Sequence, residues 1–406
     1  MNIVDYHYDL PEARIAKFPL EERDGSKLLV YRNGCITADV FSNLPDYMGE
    51  NDVMTFNNTR VIRARIEMEK VTGARIEIFC IEPHEPSDYQ LAFTQRYTCQ
   101  WKCMVGNFRK WKSGVLKKQL ICNETTIELQ AERVGCSGKY HLIRFSWNGD
   151  IDFGSILNAC GRTPIPPYLK RKTEEIDETR YQTVYSRHSG SVAAPTAGLH
   201  FTPQLLQQLS DKRVKQSEIT LHVGAGTFLP VKQNDVTQHD MHVEYFSVSL
   251  DTICDILSNN GVLTAVGTTS LRALESVYWL GVKMLQKNSA LENFHLEQWE
   301  SYKLPQDISV EKSLKKICKI LESNKLDTLW ASTKIMIVPG YAFRVCSRLI
   351  TNFHQPQSSL LLLVSAFVGE RWKDIYSYAL ENDFRFLSYG DSSLLELSST
   401  SPIMSP

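Results

Sequence analysis

From Arg65 to about Asp150 the chain is written in short alternating runs, among them ARIEIFCIE, TIELQAERV and KYHLIRFSW, separated by polar or glycine-containing turns. Alternation puts every second side chain on one face of a strand, so this block predicts an antiparallel barrel or sandwich. On either side the pattern differs. KLLVY (27–31) and DVMTF (52–56) are strand-like runs bounded by turn signals at RNG and NLPD. Beyond the block, VLTAV (262–266) runs into GTTS and then the helical pattern LRALESVYWL, closed by Gly281. KIMIV (334–338) reads as a further strand running into PGY, and Ser358 or Ser359 as the cap of an apolar helix. Strand, short polar turn, helix describes an α/β layer with parallel strands. The expected fold class is therefore α/β, with an α/β domain over 1–64 and 151–406 interrupted by a β-rich domain over 65–150. Residues 282–330 are more polar and read as a peripheral insertion. Within it EKSLKKICKILES sets Leu314, Ile317, Cys318 and Leu321 on one stripe, which predicts an amphipathic helix and not a membrane anchor.

Bulk properties remove several classes. A formal net charge of −1 over 406 residues gives no global nucleic-acid signature, so an RNA surface must be local. The 10 cysteines are scattered without a CxxC pair, which suits reduced thiols and a cytoplasmic setting. The N-terminal MNIVDYHYDLPEARIAKFP carries charges throughout and is not expected to be a signal peptide. LLLLVSAFV (360–368), the longest apolar run, is too short to span a bilayer.

Candidate chemistry sits in loops rich in small residues. SVAAPTAGLHFT (191–202) and TLHVGAGTF (220–228) each hold one histidine, His200 and His222. Small side chains let backbone groups approach a ligand, and a histidine among them can give or take a proton near neutral pH. One such turn alone reads as packing around a histidine. Two, with more of the same kind downstream, read as a site. GTTS (267–270) opens a helix, where amides and hydroxyls suit a carboxylate or phosphate, or where Ser270 simply caps the helix. Arg272 and Glu275 in its first turns reach a ligand or each other. TNFHQPQSS (351–359) places Asn352 and His354 in a loop before a helix, and NNTRV (57–61) adds Asn57 and Arg60 after a strand. HDMHVE (239–244) supplies His239, His242 and Glu244. An HxxH spacing is weak evidence for a metal, but convergence of His200, His222, His242 and His354 would make a metal-dependent hydrolase the alternative. FRFLSYGD (384–391) ends in Tyr389 and Asp391, either a turn after a buried strand or a ribose or amine contact.

Two local patches suit RNA. From Trp101 to Leu120 lie Lys102, Arg109, Lys110, Lys112, Lys117 and Lys118 with no acid, interleaved with Trp101, Phe108 and Trp111. Cations for phosphates and aromatics for stacking are the composition of a loop-RNA reader, although a barrel face over core tryptophans uses the same letters. Lys170, Arg171 and Lys172 follow GRTPIPPY, a proline-stiffened loop. A non-catalytic RNA-binding protein is thus a second alternative.

SVAAPTAGLHFT, TLHVGAGTF, HDMHVE, VGTTSLRALE, TNFHQPQSS and FRFLSYGD together resemble the S-adenosylmethionine:tRNA ribosyltransferase-isomerase family of queuosine biosynthesis. YDLPEARIAKFPLEERDGSKLLV, TFNNTRVIRARI, GRTPIPPYLKR and RYQTVYS extend the resemblance over nearly the whole chain. It departs at Arg63, Gln355 and Ser359, where the family pattern has proline, leucine and threonine. The resemblance implies a mixed α/β sandwich domain with an inserted antiparallel β-barrel. It implies transfer and isomerisation of the ribosyl part of S-adenosylmethionine onto 7-aminomethyl-7-deazaguanine at the tRNA wobble position. Epoxyqueuosine forms, and adenine and methionine leave. S-adenosylmethionine is then a co-substrate, with no permanent cofactor, no metal, no membrane and a monomeric chain. On this reading His200 and His222 are the candidates for proton transfer. Asn57, Arg60, Thr196, Gly198, Gly224, Gly226, His242, Glu244, Thr268, Thr269, Arg272, Asn352, His354, Tyr389 and Asp391 would bind substrate. Phe201, Phe228 or Phe353 would flank adenine, GTTS would hold the methionine carboxylate, and Lys102, Arg109, Lys110, Lys170 and Arg171 would contact tRNA.

Overall fold

The computed structural model describes residues 1–70, 72–122, 125–224, 235–259, 261–287 and 294–397. A mixed sheet of ten strands runs in the order His295–Leu296, Thr328–Thr333, Glu244–Ser249, Lys215–Leu221, Val53–Asn57, Leu263–Val266, Arg348–Asn352, Ser392–Glu396, Lys27–Arg32 and Cys35–Val40. Its middle four strands, from Lys215–Leu221 to Arg348–Asn352, are parallel. Three of these are buried at every position, because layers cover both faces. Val53 and Leu263 face one core with the long helix Thr268–Lys287. Met54, Phe56 and Ile350 face the other, with Phe201, Leu205 and Leu209. Helix Thr268–Lys287 lies between the sheet and helix Val310–Ser323, where Ser313 Oγ donates to the Tyr278 carbonyl at 2.6 Å. In Val310–Ser323, Leu314, Ile317, Cys318 and Leu321 are buried, as their spacing predicts. KIMIV does not form a strand: TLWAST takes that place beside Glu244–Ser249. The Lys334 and Met336 amides bond the Leu296 and Gln298 carbonyls instead.

The barrel is closed. Strands Arg65–Glu69, Arg75–Glu85, Thr98–Gly106, Tyr140–Trp147, Thr125–Ser137 and Leu116–Cys122 pair antiparallel in turn, and Glu69 opposite Lys117 joins the last to the first. The fold is thus a mixed α/β domain carrying an inserted six-stranded antiparallel barrel, with a core of its own built on Trp101, Trp111, Ile78, Leu129 and Phe145. Trp101 and Trp111 are 0% and 1% exposed, so they fill the barrel and offer no face to a base. Burying about 200 Å² of indole outweighs presenting it to solvent in so small a core. Among the described residues no helix is long and apolar enough to cross a membrane.

Candidate active site at the carboxyl ends of the parallel strands

In an open α/β sheet, ligands bind outside the carboxyl ends of parallel strands, where loops can diverge around them. The four central strands place their ends together: Asn58–Arg60, His222–Gly224, Gly267–Thr269 and Phe353–Ser358 follow them directly. A cavity of about 100 Å³ opens there, lined by residues 193–197, Val223, 267–269, 351–355, 358–360, Leu387 and Ser388, with Tyr168 and Tyr181. Thr196, Thr268, Thr269, Asn352 and His354 are therefore brought together as the sequence reading expects. Gly267, at φ +92, makes the sharp turn from strand to helix that only glycine takes without strain. Helix bonding begins at Leu271 N to Gly267 O, so the amides of Thr268–Ser270 have no partner within the helix. Ser270 is not the cap: its hydroxyl turns back to donate to the Val266 carbonyl at 2.7 Å. Ser358 does cap the next helix, accepting from Leu361 N at 3.2 Å.

His200 stands behind this cavity, buried, with both ring nitrogens engaged. Ser26 Oγ lies 2.8 Å from Nδ1, and Asn352 Nδ2 donates to Nε2 at 3.1 Å. Burial, with Arg385 and Arg23 nearby, lowers its pKa to about 3, so it is neutral at physiological pH. His354 borders the cavity, its Nε2 2.9 Å from Thr351 Oγ1, and burial likewise lowers it to about 3. Ser26, Tyr168, Tyr181 and Ser388 were missed in the sequence. All four fall within stretches quoted above (8–30, 161–171, 180–186 and 384–391), but a serine or tyrosine there carries no local pattern that separates a cavity wall from packing.

His222 lies elsewhere. It lines a groove of about 1140 Å³ between the barrel and the sheet edge and stacks on Tyr89 of the barrel, centroids 4.3 Å apart at 13°. Its pKa is lowered to about 4 by burial, and a Cβ on Gly190 would come 2.4 Å from its Nδ1. Tyr245 and Trp330 stand exposed in the same groove, which is otherwise lined by more carboxylates (Glu82, Asp88, Glu218, Asp251, Asp255) than cations.

Several expected ligand contacts are taken up inside the protein. Asn57 ties strand ends together, accepting from Thr59 and Leu221 amides and donating to the Leu221 carbonyl. Gly198 leaves room for Tyr185, whose hydroxyl would lie 1.8 Å from a Cβ there. Arg272 pairs with Glu244 in a buried bridge, while Glu275 accepts backbone amides of 344–346. Those two first-turn side chains therefore do not meet. Desolvation raises both glutamates. Tyr389 is buried and donates to Asp177 at 2.7 Å, and Asp391 is buried against Arg385 and the Lys27 amide, so that turn is not exposed. Phe201 packs on Phe41 and Phe56 away from the cavity. Phe353 borders the cavity, but its ring is held by Tyr376, Phe384 and Phe386. Gly226 and Phe228 lie outside the described residues; Gly224 ends the described part of its loop. His242 is exposed beside Lys139, and Arg60 is exposed. His200, His222, His242 and His354 do not converge, and among the described residues no group of three His, Cys, Asp or Glu is placed to hold a metal ion.

Of the basic residues, Arg109 and Lys110 are exposed on a barrel turn, and Lys102 pairs with Glu82 on the groove wall. Lys170 is exposed and pairs with Glu12 at 3.0 Å. Arg171 is not available to a phosphate: both terminal nitrogens meet Asp177 at 2.7 Å and the guanidinium covers Phe18.

The profile of the family described as "Queuosine biosynthesis protein" matches residues 3–395. The chain is 37% identical over 408 residues to the S-adenosylmethionine:tRNA ribosyltransferase-isomerase of Ruegeria pomeroyi, covering 97% of this chain and 99% of that one. It is 36% identical to the protein of the same name from Syntrophomonas wolfei (96% of each chain) and 37% to that of Finegoldia magna (97% of each). The crystal structure of an S-adenosylmethionine tRNA ribosyltransferase from Thermotoga maritima aligns with a TM-score of 0.45 at 24% identity, over 96% of this chain and 99% of that one. Matches of this length place the chain within one family: it belongs to the queuosine biosynthesis proteins, beside these tRNA ribosyltransferase-isomerases.

Proposed function

We propose that this enzyme transfers and isomerises the ribosyl moiety of S-adenosylmethionine onto 7-aminomethyl-7-deazaguanine at the wobble position of a tRNA, releasing adenine and methionine. One observation carries the reading: the separate stretches APTA (194–197), GTT (267–269) and TNFHQ (351–355) meet in one cavity at the carboxyl ends of the parallel strands. At about 100 Å³ the cavity is smaller than the roughly 300 Å³ or more that a whole ligand of this size fills, so it receives one part of the co-substrate.

The chemistry follows from the sulfonium. Its positive charge acidifies the adjacent ribose 5′ carbon, so a base removes a proton there and adenine is expelled as the ribosyl ring opens to an unsaturated sulfonium. Adenine departs protonated and leaves a C1′ aldehyde, with which the aminomethyl nitrogen condenses, releasing water. Water then adds at C4′, the resulting C5′ ylide closes onto C1′ to form the five-membered carbocycle, and the C4′ oxygen displaces methionine from C5′ with the C–S electron pair as the epoxide closes. His354, neutral and on the cavity wall, is assigned the accepting role, and the Thr268–Thr269 helix start the methionine carboxylate. The anticodon loop is already single-stranded, which lets its modified base enter a pocket. Lys170, Arg109 and Lys110 are assigned to its phosphates.

The test is incubation with S-adenosylmethionine and tRNA carrying 7-aminomethyl-7-deazaguanine, followed by nucleoside mass analysis. Epoxyqueuosine formed with stoichiometric adenine supports the reading; neither product, from folded protein, removes it. Reversing Lys170 to Glu raises the KM for tRNA several-fold and leaves that for S-adenosylmethionine unchanged.

A further inference from the structure

Ser26, His200 and Asn352 form a buried line running from the first strand of the chain to the cavity. The three residues are 2%, 4% and 3% exposed. Asn352 Nδ2 donates to His200 Nε2, so the ring hydrogen sits on Nδ1 and is donated to Ser26 Oγ. This uses one end of the Asn352 amide. The other end, Oδ1, is buried and has no hydrogen-bond partner among the described residues, and Asn352 lines the cavity. A buried carbonyl oxygen left unpaired costs roughly 1–3 kcal/mol, and one on a cavity wall is placed for a ligand to complete it.

We propose that His200 is a positioning residue and that Asn352 is the group it positions: Ser26 and His200 together hold the Asn352 amide so that Oδ1 accepts a hydrogen bond from an N–H group of a substrate. An ammonium or amine matches this acceptor, and a carboxylate or phosphate does not. This assignment rests on the cavity being the reaction site proposed above. Two substrates offer the chemistry, S-adenosylmethionine through its ammonium or adenine amine, and the tRNA through its aminomethyl group.

The experiment compares four variants by kcat, KM for each substrate and the pH profile, with calorimetric titration of S-adenosylmethionine in the absence of tRNA. Asn352→Leu, of similar size but without an acceptor, is expected to lose at least 100-fold in kcat/KM. Asn352→Asp keeps the acceptor and is expected to stay within about tenfold of the parent, because the Ser26 hydroxyl can rotate to donate as His200 changes tautomer. His200→Gln, which retains a polar atom near Nε2 and does not titrate, is expected to stay within about tenfold with the limbs of the pH profile unmoved. Ser26→Ala, whose cavity lining is intact, is expected to fall several-fold with the same profile. Weakened calorimetric binding in Asn352→Leu assigns the N–H to S-adenosylmethionine; unchanged binding with a raised KM for tRNA assigns it to the aminomethyl group. The proposal is overturned if Asn352→Asp is as inactive as Asn352→Leu, or if His200→Gln loses a limb of the pH profile together with activity. It is also overturned if Asn352→Leu turns over normally. A parent enzyme without turnover would instead reject the functional reading, and the two failures are told apart by that control.

Discussion

The two histidine loops look alike as text and differ in everything the tertiary structure adds. His200 is held edge-on by Ser26 and Asn352 behind the motif-lined cavity, and every polar atom of its ring has a partner. His222 lies face to face with Tyr89 from the barrel, on the wall of the large groove, and its Nδ1 is buried against Gly190 without a partner among the described residues. One imidazole transmits a fixed orientation; the other packs the seam between sheet and barrel. A short glycine- and alanine-rich loop therefore advertises close approach of something to the backbone, and only the fold decides whether that is a ligand, an amide or another ring.

The contrast is sharpest in deletion. His200→Ala leaves Ser26 and Asn352 both without their buried partner, so about 2–4 kcal/mol of stability is lost and kcat/KM falls at least 100-fold. Urea unfolding and adenine release measure the two effects, and a variant as stable and active as the parent would erase the distinction between the loops. Next come the glycines. A Cβ at Gly198 would fall 1.8 Å from the Tyr185 hydroxyl, so Gly198→Ala is expected to lose about 1–3 kcal/mol with a repacked Phe56–Tyr185 contact. At Gly190 the clash is with the His222 ring, and alanine there is expected to displace the imidazole from Tyr89, visible as a shifted His222 resonance.

A pH series tests the burial that both loops share. Burial lowers His200 to about 3, His222 to about 4 and His354 to about 3, while an unfolded histidine titrates near 6.5. Between those values the unfolded chain binds more protons than the folded one, so stability rises with pH. The contribution is complete above about 6.5 and is lost progressively as pH falls toward the folded values. From pH 7 to pH 5 each histidine accounts for about 1–2 kcal/mol of lost stability. Denaturant midpoints at pH 7, 6 and 5 are expected to converge in His200→Gln and His222→Gln relative to the parent; an unchanged slope in either would place that ring in water. The smallest effect is expected for His222→Leu, which keeps an apolar contact with Tyr89. It gives up about 0.5–1.5 kcal/mol of ring stacking, with adenine release within a few-fold of the parent.

Local patterns carried much of this. Alternation over 65–150 announces strands because period two needs only neighbouring residues, and the strand–GTTS–helix unit announces a carboxyl-end loop for the same reason. The α/β class, the β-rich insert, the Ser358 cap and the Val310–Ser323 helix were all legible in that way. Tertiary structure alone decided the partners. Ser26 meets His200 across 174 residues and His200 meets Asn352 across 152, separations that no local pattern spans. Arg171 reads as a free cation beside Lys170 until Asp177 folds against it, and Trp101 and Trp111 read as stacking surfaces until the barrel closes around them. The difference is physical: strand and helix periods are set by short-range backbone geometry, whereas burial and pairing depend on which distant segments share a core.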